Sequence, residues 1–118
     1  KTNDHIDKPW GWEDILELND HYCIKRLFIT GGHRFSKQYH ERKTETLMLT
    51  SGEAELTVGT GDAESVVTMV PGEPHTIAPG TVHRLKAVAG DGALILEVST
   101  PELEDVVRVE DDYGRSGT

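Results

Sequence analysis

Glycine and proline punctuation constrains this chain more than any other feature. Short apolar stretches are separated every eight to twelve residues by Gly31-Gly32, Ser51-Gly52, Gly59 to Gly61, Pro71-Gly72, Pro79-Gly80 and Gly90 to Gly92. Glycine takes positive φ without steric cost and proline presets φ beside it, so each break reads as a tight turn. Turns at this spacing leave room for strands but not for long helices, which predicts an all-β sandwich or barrel. The predicted strands are 22–30, 35–40, 44–50, 53–58, 65–70, 75–78, 83–87 and 93–99. Two helical turns are expected outside them. One covers 13–18, and the other opens at Pro101, capped by Ser99 or Thr100 and carrying acids at 102, 104 and 105. Residues 1–19 read as an N-terminal arm, about 20–100 as the core and 101–118 as a C-terminal segment, whose charged end from 106 wraps the outside or frays.

A chain of 118 residues is one domain's worth. Twelve Lys and Arg against 21 Asp and Glu leave a net charge of −9, which disfavours nucleic acid and anionic membranes as partners. An anionic ligand would need a local gathering of cations. No run approaches the roughly 18 apolar residues of a membrane-spanning helix, and residues 1–12 lack the apolar core of a signal peptide. Cys23 is the single cysteine, so no internal disulfide forms, which suits a cytoplasmic protein. In an apolar strand it reads as a small buried hydrophobe.

Histidines at 5, 21, 33, 40, 75 and 83 remain as ligand candidates. Residues i and i+2 of a strand share a face, which puts Gln38 and His40 together. Glu45 opens the next strand and shares a face with Leu47 and Leu49. A carboxylate in register with an apolar face needs a partner, because a lone buried charge is costly; a divalent metal is one. The turn at Pro79-Gly80 launches a strand that begins at His83. Two imidazoles, one carboxylate and one amide oxygen suit Zn foremost, and Mn, Fe, Ni or Co, but are too nitrogen-rich for Ca or Mg. Four protein donors leave positions open, as a working site requires. The plainer alternative is that the histidines seal strand ends, Glu45 faces water and Gln38 bonds across strands. Glu97, in Ala93-Leu-Ile-Leu-Glu97, either points inward with Ala93 and Ile95 as a proton-transfer base or faces solvent beside a lysine. His5, His21 and His75 read as surface, His33, Arg34 and Lys37 as lining a barrel mouth, and Trp10 and Trp12 as plugs at one end.

These residues resemble a cupin. The first cupin motif runs Gly, five residues, His-x-His, three or four residues, Glu, six residues, Gly. Gly32, Gln38, His40, Glu45 and Gly52 fit every spacing, with Gln in the first His place. Gly72, Gly80 and His83 match the second motif, whose Pro sits one place late at Pro79 and whose closing Asn is Ala87 here. Gln in the first ligand place is similar to the cupin-type mannose-6-phosphate isomerases. So are the flanks Lys8-Pro-Trp-Gly-Trp-Glu13, Lys25-Arg26, Ser36-Lys-Gln-Tyr-His40 and Arg108-Val-Glu-Asp-Asp-Tyr-Gly-Arg115. In many bacteria this isomerase domain follows a mannose-1-phosphate guanylyltransferase. It usually runs Gln-x-His-x-His-Arg-x-Glu-His, whereas Arg42 and Thr46 stand at the two later His places here. No guanylyltransferase half is present, so the chain reads as a free-standing relative whose substrate has room to differ.

The resemblance implies a single-domain cupin jelly-roll β-barrel (a double-stranded β-helix), paired as a homodimer, with one divalent ion held by Gln38, His40, Glu45 and His83. It implies aldose–ketose isomerisation of mannose 6-phosphate or a related hexose phosphate. Glu97 and Lys25 are then the catalytic candidates, and Arg26, Arg84 and Arg115 hold the phosphate, with Arg108 a further cation. Two other readings stay open: a non-catalytic sugar- or nucleotide-sugar-binding cupin, and a small-molecule metal oxygenase.

Overall fold

Strict inside–outside alternation of side chains builds the interior. The structure is a computed structural model and describes residues 4–88 and 90–114. Its strands are β1 (Asp4–Lys8), β2 (Gly11–Leu18), β3 (Cys23–Ile29), β4 (Lys37–Tyr39), β5 (Glu45–Gly52), β6 (Ala54–Val58), β7 (Ser65–Thr68), β8 (Pro74–Ile77), β9 (His83–Ala87), β10 (Ala93–Ser99) and β11 (Val107–Glu110). A 3-10 turn at Gly61–Ala63 is the one helical element among the described residues. No described helix is long and apolar enough to cross a membrane. A six-stranded sheet runs β1-β2-β3-β10-β5-β8 and a five-stranded sheet β11-β4-β9-β6-β7, with every pair antiparallel. The two sheets make the expected jelly-roll barrel.

The interior divides into an apolar and a charged half along the same strands. Leu27 and Ile29 of β3, Leu47 and Leu49 of β5, Leu56 of β6, Leu85 and Ala87 of β9, and Ala93 and Ile95 of β10 form the core. Further along, the same inward faces carry Lys25, Glu45, His83 and Glu97, all buried. Closing the apolar end requires tight chain crossings. Gly52 has φ +86°, and a Cβ there would sit 2.0 Å from the Gly92 carbonyl oxygen, so only glycine fits.

All eight predicted strands form, 83–87 and 93–99 with the expected ends and the others with shifted ones. The elements outside them differ from expectation. Residues 13–18 are not helical but belong to β2, paired along β3. Glu13 and Ile15 point inward there, and a bulge between Ile15 and Glu17 breaks the alternation that would have marked the strand in the sequence. The helix at Pro101 is also absent. Thr100 instead accepts the Thr44 N–H through its hydroxyl oxygen and donates to Glu102. The charged end pairs as β11 against β4. Trp10 is buried against Phe35, whereas Trp12 stacks on Phe28 on the outer face. Cys23 is fully buried, as expected.

Candidate metal centre and charged cavity

Three strand ends and one turn bring the ligand candidates together. Glu45 opens β5 and His83 opens β9, in opposite sheets. His40 follows β4, and its carbonyl accepts the Gly80 N–H at 2.7 Å, which ties the turn that launches His83 to the other histidine. His40, Glu45 and His83 are each at most 3% exposed, and one ligand atom from each lies within 4.8 Å of the others. Nε2 of His40 is 3.4 Å from Oε1 of Glu45, and Nε2 of His83 is 3.0 Å from its Oε2.

The tautomers decide what this cluster fits. His40 Nδ1–H donates to the Asp105 carbonyl and His83 Nδ1–H to the Thr81 carbonyl at 2.9 Å. In a neutral ring the Nε2 lone pair then faces inward. Neither Nε2 has a hydrogen-bond partner, although both are buried. Two lone pairs and a carboxylate converging in a dry pocket repel each other unless a cation lies between them. The donor set therefore fits a divalent ion of the Zn or Mn kind. Burial alone would raise the Glu45 carboxyl; hydrogen bonds from His40 and His83 when their Nε2 atoms carry a proton, together with the Lys43 ammonium, outweigh it and hold the group well below the usual carboxylate range. Gln38 sits directly opposite His83 in the β4–β9 pair, on the same face. Its Oε1 accepts the Ser36 hydroxyl at 2.7 Å, which leaves one lone pair for another donor or ion.

Beyond the cluster the cavity is charged. Its lining includes Lys8, Glu13, Lys25, Gln38, His40, Lys43, Glu45, Glu97 and Arg108, with Trp10, Leu27, Phe35, Leu103 and Val106 as apolar walls. Glu97 is buried and points inward, directly opposite Lys25 on β3. Lys43, buried at 5% exposure, places Nζ 3.3 Å from Glu45 and 3.5 Å from Glu97. Lys25 pairs with Glu13 at 3.3 Å. Burial, and after it the charge of Glu45, pushes the Glu97 carboxyl above its ordinary value, against Lys43 and Lys25. Burial lowers the Lys43 ammonium, but Glu97 and Glu45 outweigh it and hold the group above its usual value.

The expected phosphate-holding arginines lie elsewhere. Arg26 is on the outer face of β3, 3.8 Å from Asp14, because it follows the inward Lys25 by one residue. Arg84 follows His83 by one residue and points away from the cavity, donating to the Phe35 and Glu110 carbonyls. It shares an external recess with Arg34, Lys37, Glu64 and Glu110, so Arg34 and Lys37 do not line the cavity either. Arg115 lies outside the described residues. Arg108 does line the cavity. Sequence reasoning missed Lys8, Glu13, Lys43 and Asp105. Lys43 lies in the predicted bend between Gln38-x-His40 and Glu45, where a lysine reads as solvated. Two departures from the usual isomerase pattern fall outside the cavity: Arg42 is exposed, and Thr46 is on the outer face of β5, bonded to Thr76.

Comparison with known proteins fits this geometry. The family described as "Mannose-6-phosphate isomerase C-terminal" matches residues 1–111. The xanthan biosynthesis protein XanB of Xanthomonas campestris pv. campestris is 31% identical over 114 residues, covering 94% of this chain and 24% of that protein. A mannose-1-phosphate guanylyltransferase of Salmonella muenchen is 28% identical over 117 residues, covering 97% of this chain and 24% of the relative. The chain thus spans about a quarter of the length of these relatives. A Klebsiella pneumoniae protein with a double-stranded β-helix domain superposes with a TM-score of 0.72 at 18% identity, covering 94% of this chain and 89% of that one. Fold, motif spacing and family match agree: this chain belongs to the mannose-6-phosphate isomerase C-terminal family of cupin domains.

Proposed function

We propose that this chain carries out a metal-dependent aldose–ketose isomerisation of mannose 6-phosphate or a related hexose phosphate. The observation that carries the reading is the charge of the cavity. Lys8, Lys25, Lys43 and Arg108 line it with Glu13, Glu45 and Glu97, four positive against three negative, or +1 in a chain of −9. A divalent ion on His40, Glu45 and His83 brings that count to +3. An overall acidic protein has thus gathered cations where a phosphate dianion would sit.

His40, Glu45 and His83 would hold the ion, with the Gln38 amide oxygen as fourth donor. Bound there, it supplies Lewis acidity at the substrate oxygen where negative charge develops. The chain's own residues supply the proton transfer. Isomerisation moves one proton from C2 to C1 of the aldose and another from O2 to O1, so atoms and electrons balance without an external oxidant or reductant. Glu97 is the group suited to this, because it points into the cavity and burial makes its carboxylate a stronger base than an ordinary one. Lys43, bonded to Glu97 at 3.5 Å, holds that carboxylate in place. Lys25, opposite Glu97, balances its charge from the next strand. Lys8 and Arg108, which line the same cavity, would hold the phosphate, so that binding energy far from the reacting carbons orients them.

The test begins with elemental analysis of the purified protein, followed by assay of a hexose phosphate panel with the identified metal restored. Glu97→Gln should abolish turnover while metal occupancy and sugar phosphate binding persist. Absence of turnover by the parent on the whole panel, with binding retained, would replace this reading with a sugar-binding cupin.

A further inference from the structure

We infer that Asp105 is a positioning residue for the metal centre, clamping the loop 41–43 and fixing the His40 ring from the segment that walls the cavity. This rests on the metal reading above. Asp105 lies between β10 and β11, far from His40 in sequence. Its carboxylate accepts three consecutive backbone N–H groups: Oδ1 from Glu41 at 3.0 Å, and Oδ2 from Arg42 at 2.7 Å and Lys43 at 2.9 Å. Its own carbonyl accepts Nδ1–H of His40. One residue therefore holds the whole stretch from the imidazole to the buried ammonium, ending two residues before Glu45.

Three amides converging on one carboxylate form a nest, in which charge-assisted bonds are stronger than neutral ones. The loop has no regular pairing of its own, so its shape depends on this clamp. Thr100 adds a second tether, its hydroxyl oxygen accepting the Thr44 N–H and its backbone N–H donating to the Thr44 carbonyl. Leu103 and Val106, on either side of Asp105, line the cavity. The wall that a ligand would touch and the ring that would hold the ion are thus tied through one side chain and its carbonyl. With the clamp weakened, the His40 ring loses its fixed acceptor and Nε2 loses its aim.

Asp105→Asn tests this, because the amide presents a donor where one of the bonded N–H groups needs an acceptor. Imidazole nitrogen NMR of the metal-free protein reads the His40 tautomer directly. The parent should show Nδ1–H alone, and Asp105→Asn a mixture of tautomers. Calorimetric titration with Zn2+ and with Mn2+ should show binding weakened about 10- to 100-fold, the range for losing a ligand-orienting partner. Met69→Ala, at the buried apolar core, serves as a destabilised control and should leave the affinity unchanged. An unchanged tautomer and affinity in Asp105→Asn would overturn the inference. So would an equal loss of affinity in Met69→Ala, which would reduce Asp105 to general stability. A parent that binds neither ion refutes the metal reading, and the tautomer measurement then decides separately whether Asp105 positions His40.

Discussion

Nε2 of His83 lies 3.0 Å from Oε2 of Glu45, across the interior between the two sheets of the barrel. The ring's Nδ1–H is already committed to the Thr81 carbonyl. With neither a proton nor a metal ion on Nε2 the contact is unfavourable, and it becomes favourable once a cation separates the two atoms.

Divalent ions should accordingly raise the melting temperature. A ligand at a hundredfold excess over its Kd stabilises by about 2.7 kcal/mol, or roughly 10 °C for a chain of this size. Thermal melts after chelation, then after adding back Zn2+ or Mn2+, check this, and Glu45→Gln should remove most of the shift. Identical melts with and without chelator would count against the metal centre.

Lys43 should matter for stability far more than a loop lysine ordinarily does. It is the one cation within 3.5 Å of both Glu45 and Glu97 among the described residues. Lys43→Met leaves two buried carboxylates facing each other, and breaking a buried pair in this way costs about 3–5 kcal/mol. Urea denaturation of the metal-free protein measures the loss. Adding Glu97→Gln to Lys43→Met should recover part of it, because one of the two stranded charges is gone.

Glu97 should impose a pH dependence of definite sign. Its folded-state value is raised, chiefly by burial and then by Glu45. The folded protein therefore keeps this proton at pH values where the unfolded chain, with a value of about 4.3, has released it. Stability contributed by that retained proton is present below the unfolded value and declines as pH rises through the window up to the folded value. Relative to Glu97→Gln, the metal-free parent should lose stability as pH climbs above about 4.3. Denaturation midpoints of the two proteins that run parallel across pH would refute it.

The cationic residues should separate into those that serve the cavity and those that do not. Arg26→Ala removes an exposed side chain on the outer face and should leave sugar phosphate affinity unchanged. Arg84→Met should lower stability, because it loses the buried bond to the Phe35 carbonyl, again without changing affinity. Lys8→Ala and Arg108→Ala should weaken binding of a hexose phosphate about tenfold each, as expected for one lost charge-assisted bond. Isothermal titration with the metal restored separates the cavity residues from the other two, and thermal melts separate Arg84→Met from Arg26→Ala.

The strand pattern and the ligand candidates were readable because both depend on local spacing. Glycine and proline turns mark where strands stop, and a two-residue repeat places Gln38 with His40 and Glu45 with Leu47. The eight central strands followed from that. β2 did not, because its bulge scrambles the repeat and its inward Glu13 looks like a solvent residue until Lys25 is seen 3.3 Å away. The same limit hid Lys43 and Asp105. A charge is tolerable inside a barrel only when a partner neutralises it, and the partners here come from distant strands and turns.

By itself, then, the amino-acid order determined a turn-rich all-β chain with imidazole, carboxylate and amide donors at set offsets, because backbone geometry and turn chemistry act over a few residues. Only the tertiary structure decided which charges face inward. One-residue alternation sends Lys25 into the cavity and Arg26 out of it, and His83 in and Arg84 out. It also decided that a carboxylate near the chain's end holds the loop between two ligand candidates, since such a contact exists only once the barrel has closed.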